Sequence, residues 1–564
     1  MKFSDYDLRQ LNEDVINSLS LDAIKNLANQ LLIDLKVSRE RLNQNSQNSS
    51  MPPSSELPWD KSSAHSNDDT ADESSEGDKP ELVTEDDVLK SALQAGGNEI
   101  SDDDLPVQDE NSSAAVNPQK TITVKPACKP GKQLGAKGFG RSQKILVHRY
   151  EYHQPTECVC CNRTFSETEI ERSKAYTAFD SLGIEWGNPD RLGIDVVNIR
   201  HTYYQIECSC GHKTRAAPFR HPPDNELTGI ELSEWRLVDA TLASLIVCLS
   251  FRLRLSRLRI REFLSDWLGI ILSVGTINKT IHESGRAVMP VEAMLVQEVI
   301  KSGLLHIDET SWQQKDKLLW LWAFVSTTVV LFKVSRRTAD VFKALIIQNS
   351  YSGWIMTDGY QVYREHLKRL RCWAHLIRKA RGLAEALDSE AQDFGEKSLL
   401  LLNTMIAAIK SAREQPLDQP LSIIYKQPLE EYRQLCEKMR LSGHKKTHQL
   451  AVEMLNDWTV IFTILDHPHL PLTNNEAERA LRHWVILRKI CYGTRTAEGS
   501  RVFAILASVF ETCRIRQCSP WRYLAGVIAN RRAGLFVSPL PVYVAGGVNG
   551  YRWCAYWIGP IQKE

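Results

Sequence analysis

Three features of the sequence predict an α+β multidomain chain. Apolar runs of strand length at residues 304–308, 318–325, 329–334 and 353–358 surround one helical segment at 337–347. Stretches of helical periodicity flank them at 223–300 and at about 383–470. Two close cysteine pairs, Cys158-Val159-Cys160-Cys161 and Cys208-Ser209-Cys210, precede both. Strand, strand, strand, helix, strand is the opening of a ribonuclease-H-like layout, a mixed sheet with helices on its faces. The expected fold is therefore a ribonuclease-H-like catalytic core over 301–535 with a helical insertion at about 383–470. An N-terminal helix (1–45), a disordered acidic linker (46–120), a basic Gly-rich arm (121–145), a zinc-ribbon-like module (146–222) and a helical helix-turn-helix-like region (223–300) come before it, and a tail (536–564) after it.

The N-terminal segment reads as helix over 8–43, because Leu21, Ile24, Ala28, Leu31, Leu35 and Leu42 alternate at spacings of three and four. That is about three heptads, enough for a short coiled coil or for packing on the body. The Asn/Ser/Pro run at 43–55 ends it. Residues 56–110 then carry 18 acidic residues against three lysines, a net of −15, while the 564-residue chain is formally neutral. The remainder is thus at +15. Few large apolar residues occur in the acidic stretch, which predicts disorder. A basic body with an acidic linker is one pattern of a nucleic-acid binder, although a solubilising linker explains the acidic part equally well.

Residues 125–144 combine Lys125, Lys129, Lys132, Lys137, Arg141 and Lys144 with four glycines and lack the Lys-Ser/Thr ending of a P-loop. Such an arm suits phosphates, gaining affinity by counterion release, or serves as a spacer. The two cysteine pairs that follow lie about fifty residues apart, a separation that suits a structural zinc site, since tetrahedral thiolate ligation needs two short-loop pairs brought together. Cys158, Cys161, Cys208 and Cys210 are the expected ligands, with Cys160 and His212 as substitutes and unmetallated thiols as the plain alternative. Thirteen cysteines, an odd count, also argue for reduced thiols over a disulfide framework. Further on, Leu255, Leu258, Phe263 and Leu264 suggest one helix, Gly269 breaks it, and Ser273 is placed to cap a second. With Arg252, Arg254, Arg257, Arg259 and Arg261 nearby, the pair resembles a helix-turn-helix, a pattern that many helical pairs share.

Residues 1–10 are polar with no apolar core behind them, so no signal peptide is expected. The longest uncharged run, 318–332, is short for a membrane span and contains Ser326, Thr327 and Thr328. A cytoplasmic protein without a membrane partner is expected.

The acidic chemistry comes next. Asp308 and Asp358 each stand at the end of an expected strand, and Glu478 lies on a helix whose stripe is Ala477, Ala480, Leu481, Trp484 and Val485. Thr473 with Glu476 reads as a capping box, which gives Glu476 a structural task and leaves Glu478 without one. Singly, each acid is as well explained as a turn, capping or solvated flank residue. Three together suit two Mg²⁺ ions about 4 Å apart, which stabilise attacking and leaving oxygens during in-line phosphodiester displacement. Arg378 and Lys379 on one helix, and Arg479, Arg482, Arg488 and Lys489 on another, form basic faces for DNA phosphates or ordinary solvated charge. Cys372 and His375 have metal-compatible spacing but are read as packing or supporting residues.

These residues resemble a family. Arg-Leu-Asn-Gln-Asn-Ser-Gln-Asn-Ser-Ser-Met-Pro-Pro-Ser-Ser at 41–55, the Gly-rich basic arm, the paired cysteines, His-Ile-Asp-Glu-Thr at 306–310, Thr-Asp-Gly-Tyr at 357–360, Cys-Trp-Ala-His-Leu-Ile-Arg-Lys at 372–379 and Asn-Asn-Glu-Ala-Glu-Arg-Ala-Leu-Arg at 474–482 resemble the transposases of the bacterial insertion-sequence 66 family. The resemblance implies an Asp-Asp-Glu transposase with Asp308, Asp358 and Glu478 at the motif's acidic positions. It would bind the terminal inverted repeats of its own element, cleave the ends and join 3′-hydroxyls to target DNA, as a homo-oligomer assembled on DNA, with or without accessory proteins of the element. The C-x-C pair, the long acidic linker and Thr473 depart from the family pattern. The competing class is a non-catalytic DNA-binding regulator derived from a transposase. A nuclease without strand transfer would share the site.

Overall fold

The computed structural model describes residues 16, 19–42, 143, 145–186, 193–216, 237–533 and 535–541. The expected acidic linker, nearly all of the basic arm and most of the tail lie outside the described residues. The chain divides into two compact units, one of Met1–Asn111 with Trp354–Asn475, the other of Ser112–Gly353 with Glu476–Glu564.

In chain order the first described element is helix α1 (Leu21–Leu42). Leu21, Leu32, Ile33 and Leu35 on it are exposed. The cysteine-bearing module follows, with β1 (Arg149–His153), the short α2 (Glu167–Glu171), β2 (Lys174–Trp186), β3 (Ile194–Glu207) and β4 (Lys213–Arg215). β2 and β4 run antiparallel to β3 and β1 parallel to it, so β3 is central.

Four helices come next: α3 (Ala240–Phe251), α4 (Arg257–Leu268), α5 (Val274–Ala287) and α6 (Met289–Lys301). α3 is apolar on every side and buried from Leu242 to Phe251, as an all-round hydrophobic helix must be. Gly269 ends α4 in the left-handed region at φ 63°, and the Ser273 hydroxyl accepts the Thr276 N–H at 3.0 Å to open α5. Both punctuation marks match the sequence reading.

Strands β5 (Leu304–Gln314), β6 (Lys317–Val325) and β7 (Val330–Ser335) form an antiparallel set with β6 in the middle. The expectation that Asp308 ends its strand is corrected here. β5 continues six residues past Asp308, because the polar stretch 309–314 pairs residue by residue with 317–322 in a hairpin. Pairing, rather than apolar content, sets the strand's length.

The other unit holds β8 (Trp354–Thr357) and β9 (Arg369–Arg371), which are parallel, and then α7 (Trp373–Ala384), α8 (Ser389–Glu414), α9 (Lys426–Met439) and α10 (Lys445–Asn456). Everything regular in it between residues 383 and 470 is helical. Its buried charges are paired: Arg369 reaches Asp457 at 2.9 Å, Arg371 meets Glu453, and Lys379 meets Glu453 at 2.9 Å.

Back in the unit of Ser112–Gly353 with Glu476–Glu564 are α11 (Asn475–Cys491), α12 (Ala497–Ile515) and α13 (Pro520–Arg532). Trp484 from α11, Phe503 from α12, Phe251 from α3 and Trp312 from β5 make an aromatic core, with Trp312 stacked on Phe503 at 4.1 Å. Of the expected α11 stripe, Ala477, Ala480, Leu481 and Trp484 are buried and Val485 partly so.

Candidate metal centre and acidic residues

The thiolate site is built from two turns and a sheet. Cys158 and Cys161 bracket the first turn, where the Asn162 N–H donates to the Cys158 carbonyl and Asn162 adopts φ 54°. Cys208 and Cys210 bracket the second, where the Gly211 N–H donates to the Cys208 carbonyl and Gly211 takes φ 83°. That backbone lets the chain turn tightly after the short C-x-C pair, since glycine enters the left-handed region without a steric cost. Cys158 and Cys208 pack with Phe165 and Ile206 in a small buried cluster.

The four sulfurs converge. Cys158 Sγ lies 3.7 Å from Cys210 Sγ and Cys161 Sγ lies 3.6 Å from Cys208 Sγ, with all four ligand atoms within 4.8 Å of one another. Metal–sulfur bonds of about 2.3 Å put the corners of a thiolate tetrahedron roughly 3.8 Å apart. The donor set thus fits a tetrahedral ion. Cys160 and His212, the substitutes, are outside this group and exposed.

The electrostatics of the tetrad are uneven. Hydrogen bonds from the Cys210 N–H and the Arg163 side chain hold the Cys208 thiol down at about 6. The Cys161 N–H lowers Cys158 as well. Cys210, despite a hydrogen bond from the His212 N–H, is pushed up to about 12 by desolvation and the neighbouring sulfurs. Four negative sulfurs cannot share this space without a compensating cation. Arg163, itself paired with Glu169 at 2.7 Å, supplies part of that compensation. Sequence reasoning missed Arg163; a basic residue two positions after a C-x-x-C pair was its only signal.

Asp308 sits within β5 opposite Ala323, and its Oδ1 accepts the Glu309 N–H at 2.9 Å. The next acid, Glu309, has its side chain almost fully buried and pairs with Arg337 at 3.1 Å, while Arg337 lies 4.3 Å over the Trp320 ring. Asp358 follows β8 directly in the other unit, and its Oδ1 accepts the Tyr360 N–H at 2.9 Å. Gly359 beside it is pressed so close to the Arg371 guanidinium that a Cβ would come within 2.4 Å of Nη1. Glu478 is half-buried in the first turn of α11, where the positive end of the helix dipole favours a carboxylate.

The expected capping box is a correction. α11 starts at Asn475, so Thr473 lies two residues ahead of it and Glu476 is its second residue. The Asn474 N–H is taken by Cys372 Sγ at 3.3 Å, and the Trp373 N–H by the Leu472 carbonyl, which hold the chain out of the helix until Asn475. Glu476 is exposed and pairs with Arg479 at 3.2 Å.

The basic residues differ in burial and in partners. Arg488 donates to Thr310 Oγ1 and Ser311 Oγ at 3.0 and 2.9 Å, bracing β5, and burial lowers its pKa. Lys379 is held by Glu453, and Arg479 by Glu476. Arg378 is half-buried on α7, whereas Arg482 and Lys489 are exposed on α11. No described helix is long and apolar enough to cross a membrane.

The described residues define a chain of mixed α+β class with a cysteine tetrad that could hold a metal ion. Comparison with known proteins gives a family resemblance. Residues 236–502 match the model of the "Transposase IS66 family", and the chain resembles that family over this stretch. Asp308, Asp358 and Glu478 fall inside the match and the cysteine tetrad before it. The uncharacterized protein y4qI of Sinorhizobium fredii is 25% identical over 242 residues, 38% of this chain and 44% of that protein. The uncharacterized protein y4hP of the same organism is 24% identical over 305 residues, 46% and 54% of the two chains. The chain therefore spans about half the length of these curated relatives.

Proposed function

We propose that the chain is a DNA transposase that cleaves the ends of its own element and joins their 3′-hydroxyls to target DNA, with Asp308, Asp358 and Glu478 as the acidic set. The observation that carries this reading is that all three acids lie inside the stretch matching the IS66 transposase family. Their chemistry supports it: carboxylate oxygens are the hard donors that magnesium prefers. Two bound Mg²⁺ ions would supply charge stabilisation to the scissile phosphate and lower the pKa of the attacking water or hydroxyl.

The chain's own residues do the rest. Asp308 and Asp358 present carboxylates from a strand and from a strand's end, and Glu478 from a helix terminus braced by Trp484 in the aromatic core. Arg488 fixes β5 through Thr310 and Ser311, holding the backbone on which Asp308 sits. Arg482, exposed on α11, would meet phosphates together with the neighbouring Lys489, which positions duplex DNA without reading its sequence. Cys158, Cys161, Cys208 and Cys210 hold one structural Zn²⁺, and the α4–α5 pair meets DNA as a helix-turn-helix. Double-stranded DNA, a homo-oligomer formed on it and accessory proteins of the element are the expected partners, in a cytoplasmic, nucleoid-associated setting.

A Mg²⁺-dependent nicking assay on a duplex carrying an element end tests this. Asp308→Asn, Asp358→Asn and Glu478→Gln should each lower cleavage by about a thousandfold or more, the effect of several kcal/mol of transition-state stabilisation. End binding in a gel shift should persist. A regulator would bind the same duplex without cutting it, and cleavage that survives one substitution removes that residue from the set.

A further inference from the structure

The cysteine-bearing sheet carries a second group of converging donors. Glu151 and His153 stand two residues apart on β1, and His201 on β3 is the register partner of Glu151. Residues two apart on a strand share a face, so all three side chains meet on one side of the sheet. His153 Nε2 lies 3.1 Å from His201 Nδ1, and His201 Nδ1 lies 3.2 Å from Glu151 Oε2. The three atoms are within 4.8 Å of one another.

We propose that Glu151, His153 and His201 form a second metal site, open to one solvent ligand, for a divalent first-row transition ion of the zinc class. Three arguments support it. Metal–nitrogen and metal–oxygen bonds of about 2.0–2.1 Å separate tetrahedral ligand atoms by roughly 3.3–3.4 Å, close to the two spacings at His201 Nδ1. Two imidazoles and a carboxylate are the borderline donors such ions select, and three protein ligands leave a fourth position for water.

Finally, the ring of His201 is oriented from behind. Its Nε2 meets Ser181 Oγ at 2.9 Å, while Phe179 stacks on it with ring centres 5.4 Å apart. When Ser181 accepts the Nε2 proton, Nδ1 turns a lone pair toward the Glu151 carboxylate. A cation resolves that repulsion, and outer hydrogen bonds of this kind commonly fix a ligating histidine. Tyr203, stacked on His153 at 4.3 Å, limits the other ring. Half-exposed Glu151 leaves the ion a path from solvent. The consequence for the fold is a brace between the five-residue strand β1 and central β3. This site is independent of the transposition reading, because neither the ligands nor the brace involves the acidic set.

The test uses the full chain and counts metal rather than activity. Wild type, H153Q and H201Q are dialysed against Zn²⁺ and the bound equivalents measured by atomic emission. Parallel samples are loaded with Co²⁺, where only the thiolate site gives sulfur-to-metal charge-transfer absorption. The expected result is one equivalent fewer in each variant with the sulfur band unchanged. Equal metal content in wild type and variants would overturn the proposal and leave a hydrogen-bonded cluster only. Should H201Q lose the sulfur band, and with it the module's fold, E151Q at the half-exposed position decides by the same count.

Discussion

The thiolate tetrad and the acidic trio differ in how much chain lies between their members. Cys158 and Cys210 belong to one small sheet module, and two local turns and the β2–β3–β4 pairing bring their sulfurs to 3.7 Å. Strands β6 and β7 lie between Asp308 and Asp358 and a helical stretch between Asp358 and Glu478, and the three stand in two units, Asp308 and Glu478 in one and Asp358 in the other. A site closed by local turns can be read from spacing, because the turn chemistry that builds it sits between its ligands. The trio has no such internal record, and what links its members is the family pattern.

The largest effect that sharpens this contrast is expected in the tetrad. Cys208→Ser, or removal of metal with a chelator, should unfold the module spanning β1 to β4. Structural zinc contributes apparent binding free energies of about 10 kcal/mol or more, and the small cluster of Phe165, Ile206 and two cysteines offers little to replace it. Zinc content and the fluorescence of Trp186 report the loss. A Cys208→Ser protein with the metal content and fold of the wild type would remove Cys208 from the ligand set.

The pH dependence comes next in size. In the metal-free tetrad, Cys208 is held at about 6 and is already ionised at neutral pH, while Cys210, pushed up to about 12, and Cys161, also raised, keep their protons. Filling the site at pH 7 must expel at least those two protons, and a third from whatever fraction of Cys158 is still protonated, so affinity should fall at least about a hundredfold per unit of acidification. The fall should steepen below about pH 6, where Cys208 also protonates. Competition titration with a coloured chelator at several pH values measures the slope. A slope near zero would mean the thiols are not the ligands.

Much of the fold was legible because local patterns and tertiary demands agree. Gly269 and Ser273 punctuate α4 and α5 as their chemistry dictates, and the stripe from Ala477 to Trp484 is the buried face of α11. The misreadings arose where another segment decided the outcome. β5 outran Asp308 because its polar half found partners in β6. α11 began after Thr473 because Cys372 Sγ, about a hundred residues earlier in the chain, accepts the Asn474 N–H. Lys379 and Arg488, read as phosphate contacts, have protein partners as well in Glu453, Thr310 and Ser311, which spacing alone does not announce. The Glu151–His153–His201 group was not read at all, since its members are adjacent only through the parallel register of β1 with β3.

The unit carrying Asp358 offers a smaller test. Gly359→Ala would drive a Cβ into the Arg371 guanidinium, whose position is fixed by Glu453 and whose side chain is almost wholly buried. Overpacking of this kind costs about 1–3 kcal/mol. The thermal midpoint should fall by several degrees, and cleavage more than that destabilisation alone accounts for, since the adjacent Asp358 turn must shift. A variant with wild-type melting and cleavage would free Asp358 of any dependence on its neighbour.

The smallest expected effect separates two glutamates two residues apart. Glu476 is exposed and bound only to the side chain of Arg479 among the contacts described, an i,i+3 surface pair of the kind worth about 0.5 kcal/mol or less. Since α11 begins at Asn475, Glu476 closes no capping box with Thr473, and Glu476→Gln should leave stability within that margin and Mg²⁺-dependent nicking unchanged. Glu478→Gln removes a half-buried carboxylate at the same helix terminus and should abolish nicking. A reversed result would move the third acidic position to Glu476, toward solvent, and the trio would then share no burial pattern with its expected site. Equal and small effects of both substitutions would instead leave α11 without a catalytic acid, and the DNA-binding regulator would become the better reading of the chain.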